Sequence, residues 1–293
     1  MTAIRPRRSV LYMPGSNARA LDKARTLPAD AVILDLEDSV APDAKEVARD
    51  QVRDAVRAGG FGSREVVVRV NGLDTPYGEA DLAAAAAAGP DAVLVPKVSD
   101  PETLARVGAA LAAGGAPERT RVWAMIETPR AILHLDAIAA AAGDPRTRLD
   151  CWVMGLNDLA KETRARFVPG RGPMLAWMTL ALTAARAHGL DIVDGVYNSL
   201  SDEAGFRAEC EQGRDLGFDG KTLIHPNQIG AANEVFAPPP DEVAQARKVM
   251  GAFDLPENRD RGAIQLDGRM VERLHADMAR RTVALAEAIA ARA

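Results

Sequence analysis

The sequence is poor in cysteine and has no long apolar run, and both shortages exclude classes of protein. Its 293 residues include only Cys151 and Cys210, which lie far apart and lack the spacing of zinc ligands. We therefore expect two free thiols in a reducing compartment rather than a disulfide framework. No apolar stretch reaches the roughly 18 residues of a membrane span. The apolar run near the N-terminus is too short for a signal peptide, so we expect a cytoplasmic protein.

An excess of basic residues is also missing. The formal net charge is -5, which argues against a nucleic-acid protein, since such proteins normally carry a basic patch. A small anionic substrate remains compatible with this charge because local Arg and Lys side chains can outweigh the net sign. With 47% hydrophobic residues, the chain has ample material for a full core.

One pattern repeats along the chain: a short apolar run, a charged or glycine-rich turn, and then a longer segment with helical spacing. The predicted strands are 9–13, 31–36, 66–70, 92–96, 122–126, 151–155, 191–195 and 221–225. The predicted helices are 17–27, 42–58, 79–88, 101–114, 129–142, 173–188 and 202–216. Buried strands that alternate with helices are typical of a parallel sheet covered on its outer face.

Eight such units favour a (β/α)8 barrel, a TIM barrel, over an open doubly wound sheet. The first strand is not followed by the G-x-G-x-x-G motif of dinucleotide-binding sheets, which supports the same choice. We assign the barrel to residues 1–236. Three prolines, Pro238–Pro240, open a C-terminal helical extension at 237–293, which either packs on the barrel or serves as a lid or a subunit-swapped arm.

Charged side chains follow the predicted strands, where the active sites of such barrels lie. Glu127 follows the fifth strand and Asp158 the sixth, so they can converge on one ion. Two oxygen ligands without a Cys or His pair suit Mg²⁺ or Mn²⁺. Each carboxylate alone could instead form a salt bridge with Arg69 or Lys97.

The second strand leads into the densest acidic cluster, which contains Asp35, Glu37 and Asp38. Asp35 and Glu37 fall on one face and could hydrogen-bond water around a metal or orient Arg69. The alternative for Asp38 is that it only begins the turn that follows. Arg69, within an apolar run, can grip a substrate carboxylate with its guanidinium group or pair with Asp35 or Glu37.

Two lysines and one histidine allow other chemistry. Lys97 and Lys221 are candidates for a Schiff base with a keto substrate, although such a lysine needs a desolvated site and carboxylates crowd this one. His225 could act as an acid or base, or could simply begin the loop at Pro226.

The ordered motifs RSVLYMPGSNARALDKA, DLEDSVAP, VVVRVNG, LVPKV, MIETPRAI, GLNDLAKE and GFDGKTLIHPNQI span nearly the whole chain. With them the sequence resembles the citrate lyase β-subunit-like enzymes of the HpcH/HpaI aldolase superfamily. It is most similar there to malyl-CoA and citramalyl-CoA lyases and their malyl-CoA thioesterase branch.

The resemblance implies a Mg²⁺-dependent enzyme that acts on a β-hydroxyacyl-CoA and assembles as a homotrimer or homohexamer. It places the metal ligands at Glu127 and Asp158 and the substrate-gripping arginine at Arg69. It also places the coenzyme A nucleotide near four residues after the first strand, where a helix N-terminus and basic side chains suit phosphate. These are Ser16, Asn17, Arg19 and Lys23.

The implied reaction is reversible carbon–carbon cleavage of malyl-CoA, citramalyl-CoA or citryl-CoA into an α-keto acid and acetyl- or propionyl-CoA. The alternative is hydrolysis of the (3S)-malyl-CoA thioester in the same site. A third possibility is a subunit that works only within a citrate lyase complex.

One position departs from the family pattern. The family often has Asp at the third position of a Met-Ile-Asp or Met-Val-Asp motif, contributed by a neighbouring subunit, where this chain has Met270-Val271-Glu272. The extra methylene moves the carboxylate by about 1.5 Å, enough to alter proton transfer. Glu272 is therefore a candidate general base or thioester-attacking group, unless it only pairs with Arg269 or Arg273 on the helix surface.

Overall fold

The computed structural model describes residues 4–292, and eight parallel strands in it close into a barrel. The strands are β1 (Ser9–Pro14), β2 (Ala31–Asp35), β3 (Glu65–Arg69), β4 (Ala92–Val95), β5 (Arg121–Ile126), β6 (Leu149–Met154), β7 (Asp191–Asp194) and β8 (Gly220–Leu223). β1 pairs with both β2 and β8, so the sheet has no free edge. The predicted barrel is confirmed, and the open-sheet alternative is wrong.

Helices alternate with the barrel strands along the chain. They are α1 (Ala18–Ala24), α2 (Lys45–Ala58), α3 (Gly78–Ala88), α4 (Pro101–Ala113), α5 (Pro129–Leu133), α6 (Leu135–Ala140), α7 (Leu156–Thr163), α8 (Leu175–Ala187), α9 (Glu203–Leu216) and α10 (Ile229–Val235). The helix predicted over 129–142 is broken at His134, whose φ of -119° and ψ of 16° leave the helical region. Helix α7, which begins soon after β6, was not predicted from the sequence.

The barrel interior is filled by small and branched apolar side chains around one large aromatic residue. Trp123 and Cys151 are fully buried there among residues such as Val67, Leu94 and Val153. Alternating strand residues point inward in such a barrel, so these layers form a packed core rather than a channel.

The amino-terminal end of the barrel is closed by a buried arginine. Arg7 bonds Glu65 at 2.9 Å, Asp191 at 2.8 Å and Asp150 at 2.6 Å, and its guanidinium carbon lies 4.8 Å from the ring centre of Trp123. Several carboxylates thus share one buried cation at the end of the barrel opposite the charged strand ends.

A second compact unit comprises residues 234–292 with residues 4–6, whereas the barrel unit comprises 7–233. It contains α11 (Pro240–Asp254), a hairpin of β9 (Ala263–Leu266) and β10 (Arg269–Glu272), and α12 (Arg273–Ala290). Phe253 and Ile264 lie in its core. Asp267 and Gly268 connect the two strands of the hairpin and adopt φ of 50° and 78°, as a two-residue turn requires.

Within residues 4–292, no helix is both long and apolar enough to span a bilayer.

Candidate active site

The carboxyl ends of the barrel strands surround a cavity of about 290 Å³. Its charged lining includes Asp35, Asp38, Arg69, Glu127 and Asp158, which come from four different strand ends. The apolar part of the lining includes Met125, Met154, Leu156, Val196 and Ile224. The structure therefore brings the predicted metal ligands and the predicted substrate-binding arginine into one space.

Glu127 and Asp158 enter this cavity from neighbouring strands. Glu127 follows β5 and is 2% exposed, and Asp158 lies in the first turn of α7 after β6. The backbone N–H of Lys97 donates to Glu127 Oε1 at 2.7 Å and fixes the carboxylate. Gly155 lies against the Glu127 side chain, and a Cβ there would overlap it. Because Gly155 has no side chain, the end of β6 leaves space for the Glu127 side chain from the end of β5.

The electrostatics of this region favour a bound cation. Burial, followed by the nearby charge of Glu37, raises the pKa of Glu127 to about 8. Burial also raises the pKa of Glu37 to about 7, despite the opposing effect of Arg69. Crowded buried carboxylates of this kind are stabilised in the ionised form by a metal.

The donor set fits a hard divalent ion. No group of three or more His, Cys, Asp or Glu side chains suited to a metal occurs within the part of the chain that the structure describes. Mg²⁺ is commonly held by only one or two carboxylates, with water and substrate oxygens completing its octahedron. Glu127 and Asp158 match this pattern, whereas they do not match the ligand set of a zinc centre.

The Arg69 side chain, from the end of β3, contacts the end of β2 and the loop that follows β2. Its Nε and one terminal nitrogen bond the two oxygens of Asp35 at 2.6 and 2.7 Å. The other terminal nitrogen lies 2.7 Å from Glu37 Oε2, without hydrogen-bond geometry, and 3.1 Å from Asp38 Oδ2. Its guanidinium carbon stacks 4.7 Å from the ring centre of Tyr12. One bidentate edge is thus used by Asp35, and a substrate carboxylate would meet the nitrogen beside Glu37 and Asp38.

Asp35 also organises the acidic loop. It is fully buried and accepts the backbone N–H groups of Glu37 at 2.9 Å and Ser39 at 3.1 Å. Burial alone would raise the pKa of Asp35, but the Arg69 charge and these hydrogen bonds lower it. Asp38 is 70% exposed on its side chain and stands at the cavity rim.

The two candidate Schiff-base lysines have other surroundings. Burial lowers the pKa of Lys97, but the nearby carboxylates, first Asp158 and then Glu37, together raise it above its ordinary value. This is the reverse of what an amine nucleophile needs. Lys221 is fully buried and bonds Asp194 at 2.9 Å and Glu209 at 3.2 Å. Neither lysine belongs to the described cavity lining.

Asp194 pairs with Arg171, a contact that was not predicted from the sequence. Arg171, only 1% exposed, bonds both oxygens of Asp194 at 2.9 and 2.7 Å from a loop between α7 and α8. Arg171 has a φ of 52°, and its distance in sequence from β7 leaves no local signal of the contact. This buried network anchors the loop beside the cavity.

The predicted coenzyme A residues and His225 are not part of the cavity lining. Ser16, Asn17, Arg19 and Lys23 are all exposed at the end of β1 and along α1, where the Asn17 side chain accepts the N–H of Ala20 at 3.1 Å. His225 accepts the N–H of Asn227 at 3.2 Å and so begins the turn after β8.

Glu272 belongs to the second unit, where it caps α12. Its side chain accepts the backbone N–H of His275, and its own N–H donates to His275 Nδ1 at 2.9 Å. Among the described residues, Glu272 forms no ion pair with Arg269 or Arg273. The predicted surface pair is therefore replaced by a reciprocal cap, and the catalytic role stays a prediction.

Comparisons with known proteins agree with this architecture. Residues 8–226 match the family described as HpcH/HpaI aldolase/citrate lyase. A (3S)-malyl-CoA thioesterase of Cereibacter sphaeroides is 52% identical over 286 residues, which cover 98% of this chain and 96% of that protein. An L-malyl-CoA/beta-methylmalyl-CoA lyase of Cereibacter sphaeroides is 35% identical, covering 98% and 96%.

A solved structure extends the likeness. CitE from Mycobacterium tuberculosis, in complex with magnesium, acetoacetate and coenzyme A, is 29% identical with a TM-score of 0.77, covering 98% of this chain and 100% of that one. Residues 8–226, which match the family, include every strand of the barrel and all residues that line the active-site cavity. The chain is an enzyme that belongs to the HpcH/HpaI aldolase/citrate lyase family.

Proposed function

We propose that this protein is a Mg²⁺-dependent thioesterase that hydrolyses (3S)-malyl-CoA to malate and coenzyme A. The observation that carries the proposal is that buried Glu127 and half-buried Asp158 lie beside Arg69 in a cavity of about 290 Å³. The 52% identity to a (3S)-malyl-CoA thioesterase supports hydrolysis over the lyase reaction that the sequence motifs put first.

Glu127 and Asp158 would hold the metal, with Mg²⁺ preferred and Mn²⁺ compatible with the same oxygen ligands. When bound, Mg²⁺ supplies Lewis-acid polarisation of substrate oxygens. The chain's own residues orient the acyl group: Arg69 holds its free carboxylate, and Asp35 keeps Arg69 in place. Glu37 and Asp38 flank the nitrogen of Arg69 that meets the substrate, at 2.7 and 3.1 Å.

Hydrolysis requires a water molecule to add to the thioester carbon and the carbon–sulfur bond to break. The water loses a proton to a carboxylate, and the departing sulfur gains one as free coenzyme A forms. We assign the proton acceptor to Glu272, whose extra methylene distinguishes it from the Asp of the family motif. The nucleotide of coenzyme A would meet the exposed Ser16, Asn17, Arg19 and Lys23.

Carbon–carbon cleavage is the second candidate function. It is supported by the 35% identity to an L-malyl-CoA/beta-methylmalyl-CoA lyase and by a carboxylate pair that would hold Mg²⁺, a cation that would stabilise an enolate oxygen. Purified protein incubated with (3S)-malyl-CoA and Mg²⁺ separates the two. Free coenzyme A with malate supports hydrolysis, whereas a keto acid with acetyl-CoA supports cleavage; EDTA should abolish either.

A homotrimer or homohexamer is proposed for the assembly, in which the C-terminal extension acts as a lid or a swapped arm over a neighbouring subunit. Light scattering coupled to gel filtration tests the subunit number. Turnover by the isolated chain would argue against a subunit that depends on a citrate lyase complex.

A further inference from the structure

The active-site cavity has a larger neighbour on the side of β6 and β7. This second cavity, of about 630 Å³, lies between the segment 167–171 and helix α9. Leu156, Val196 and Asn198 line both cavities. We call Leu156, Val196, Asn157 and Asn198 the partition.

The position of Leu156 in the partition depends on a glycine, Gly195, that directly follows β7. A Cβ on Gly195 would lie 2.9 Å from Met154 O and 3.1 Å from Leu156 Cγ, so glycine lets the buried Leu156 cover the end of β7. Leu156 is 3% exposed and cannot swing into solvent without losing this packing.

Two side-chain amides connect the segment that follows β6 to the segment that follows β7. Asn198 Nδ2 donates to Asn157 Oδ1 at 2.9 Å, and Asn157 Nδ2 donates to Asn198 Oδ1 at 3.3 Å. Asn157 lines the active-site cavity, so this reciprocal pair connects the two sides of the partition. The partition therefore joins loops from two strands by both packing and hydrogen bonds.

The second cavity has the chemistry of a site for an uncharged group. Its outer wall includes Phe167, Val168 and Pro169. Its only arginine, Arg171, is already bonded to both oxygens of Asp194, and the carboxylates of Glu209 and Asp202 also line the space. The net negative charge of this lining would repel an anion such as the phosphates of coenzyme A. An uncharged alkyl group would not be repelled.

We infer that the partition sets the upper size of the acyl group, and that Leu156 and Val196 exclude alkyl branches that the second cavity would otherwise accommodate. The inference rests on the proposed function, because it takes the acyl group to occupy the smaller cavity. An apolar wall discriminates between substrates that differ by one methylene by roughly 10- to 200-fold, so removing it should change specificity by a measurable factor.

The test compares malyl-CoA with derivatives that carry a methyl, ethyl or propyl branch on the acyl chain. In Val196→Ala and Leu156→Ala, the ratio of kcat/KM for the propyl derivative to that for malyl-CoA should rise by about tenfold or more. Melting temperature and circular dichroism establish that each variant is folded.

Ala208 offers the matched control, because it lines only the second cavity. Ala208→Leu alone should leave turnover of malyl-CoA unchanged, and the double variant Val196→Ala/Ala208→Leu should lose the gain for the propyl derivative. Folded Val196→Ala and Leu156→Ala proteins with unchanged ratios would overturn the inference, as would a gain that survives Ala208→Leu.

Binding separates this inference from the proposed reaction. The same series is prepared as thioethers, which cannot be hydrolysed, and dissociation constants are measured by calorimetry. Tighter binding of the propyl thioether to Val196→Ala supports the partition even if malyl-CoA is not turned over. Absence of turnover with normal binding would instead count against the proposed function.

Discussion

Asp35 and Arg69 are register partners on β2 and β3, and two hydrogen bonds of 2.6 and 2.7 Å join their side chains. Both side chains are almost fully buried, at 1% and 7% exposure. The pair fixes the arginine at the edge of the cavity, because Arg69 has no freedom to turn away without leaving Asp35 unpaired.

Asp35→Ala should lower the free energy of unfolding by about 3–5 kcal/mol, since it leaves a buried charge without its partner. Asp50→Ala, which breaks the exposed pair with Arg53, should cost about 0–1 kcal/mol. Urea unfolding of both variants checks the difference. Equal losses of unfolding free energy in the two variants would mean that the Asp35–Arg69 pair contributes no more to stability than an exposed pair.

Glu127→Gln and Asp158→Asn should each weaken Mg²⁺ binding by at least about 100-fold, because each removes a charged oxygen ligand. Glu162→Gln, on the exposed face of the same helix as Asp158, serves as the control. Isothermal titration with MgCl₂ gives the affinities. Normal Mg²⁺ affinity in Asp158→Asn would remove that residue from the site.

Mg²⁺ affinity should rise with pH between about 6 and 9. The pKa of Glu127 is about 8 and that of Glu37 about 7, so protons compete with the metal below these values. Both values exceed the ordinary value for a glutamate, so the metal-free folded state holds protons that the unfolded chain has lost. Stability of the metal-free protein should therefore fall as pH rises from about 4.5 to 8.

Melting curves in EDTA at several pH values check this trend, and Glu127→Gln provides the comparison. Replacing the carboxyl should make the fall with pH shallower. A metal-free protein whose melting temperature rises over this interval by the same amount in both forms would contradict the assignment.

Gly155→Ala should abolish Mg²⁺ binding with a smaller effect on the barrel as a whole, because a Cβ there would overlap Glu127 and displace it. Gly143→Ala is the matched control, since nothing lies within 4 Å of a Cβ at that position. Calorimetry and melting temperature distinguish loss of the site from loss of the fold.

Glu272→Gln should lower turnover by about 100-fold or more while preserving most of the stability, because Gln keeps an acceptor for the His275 N–H but loses the charge. Glu272→Ala should lose turnover and also about 1 kcal/mol of stability through loss of the helix cap. Full turnover in Glu272→Gln would leave Glu272 with only the capping role that α12 requires.

The sequence was sufficient to predict the barrel because each strand is a short apolar run with a turn signal behind it. The same regularity located Glu127, Asp158 and Arg69 at strand ends, and these side chains do line one cavity. Whether each has its predicted role stays a prediction.

Features that depend on distant contacts were not predictable. Arg171 bonds Asp194 across 23 residues of sequence, and no motif near either residue indicates the pair. The hairpin in the C-terminal unit was missed for a different reason: Asp267-Gly268 is a recognised turn signal, but the flanking strands Ala263–Leu266 and Arg269–Glu272 are short and mostly exposed.

Turnover of (3S)-malyl-CoA in water enriched in oxygen-18, with Mg²⁺ and with EDTA, tests the proposed hydrolysis most directly. Metal-dependent hydrolysis should give free coenzyme A and malate that carries one oxygen-18 in the newly formed carboxylate, with no turnover in EDTA or in Glu127→Gln. Glyoxylate and acetyl-CoA as the main products, or labelled malate formed equally well without metal, would contradict it.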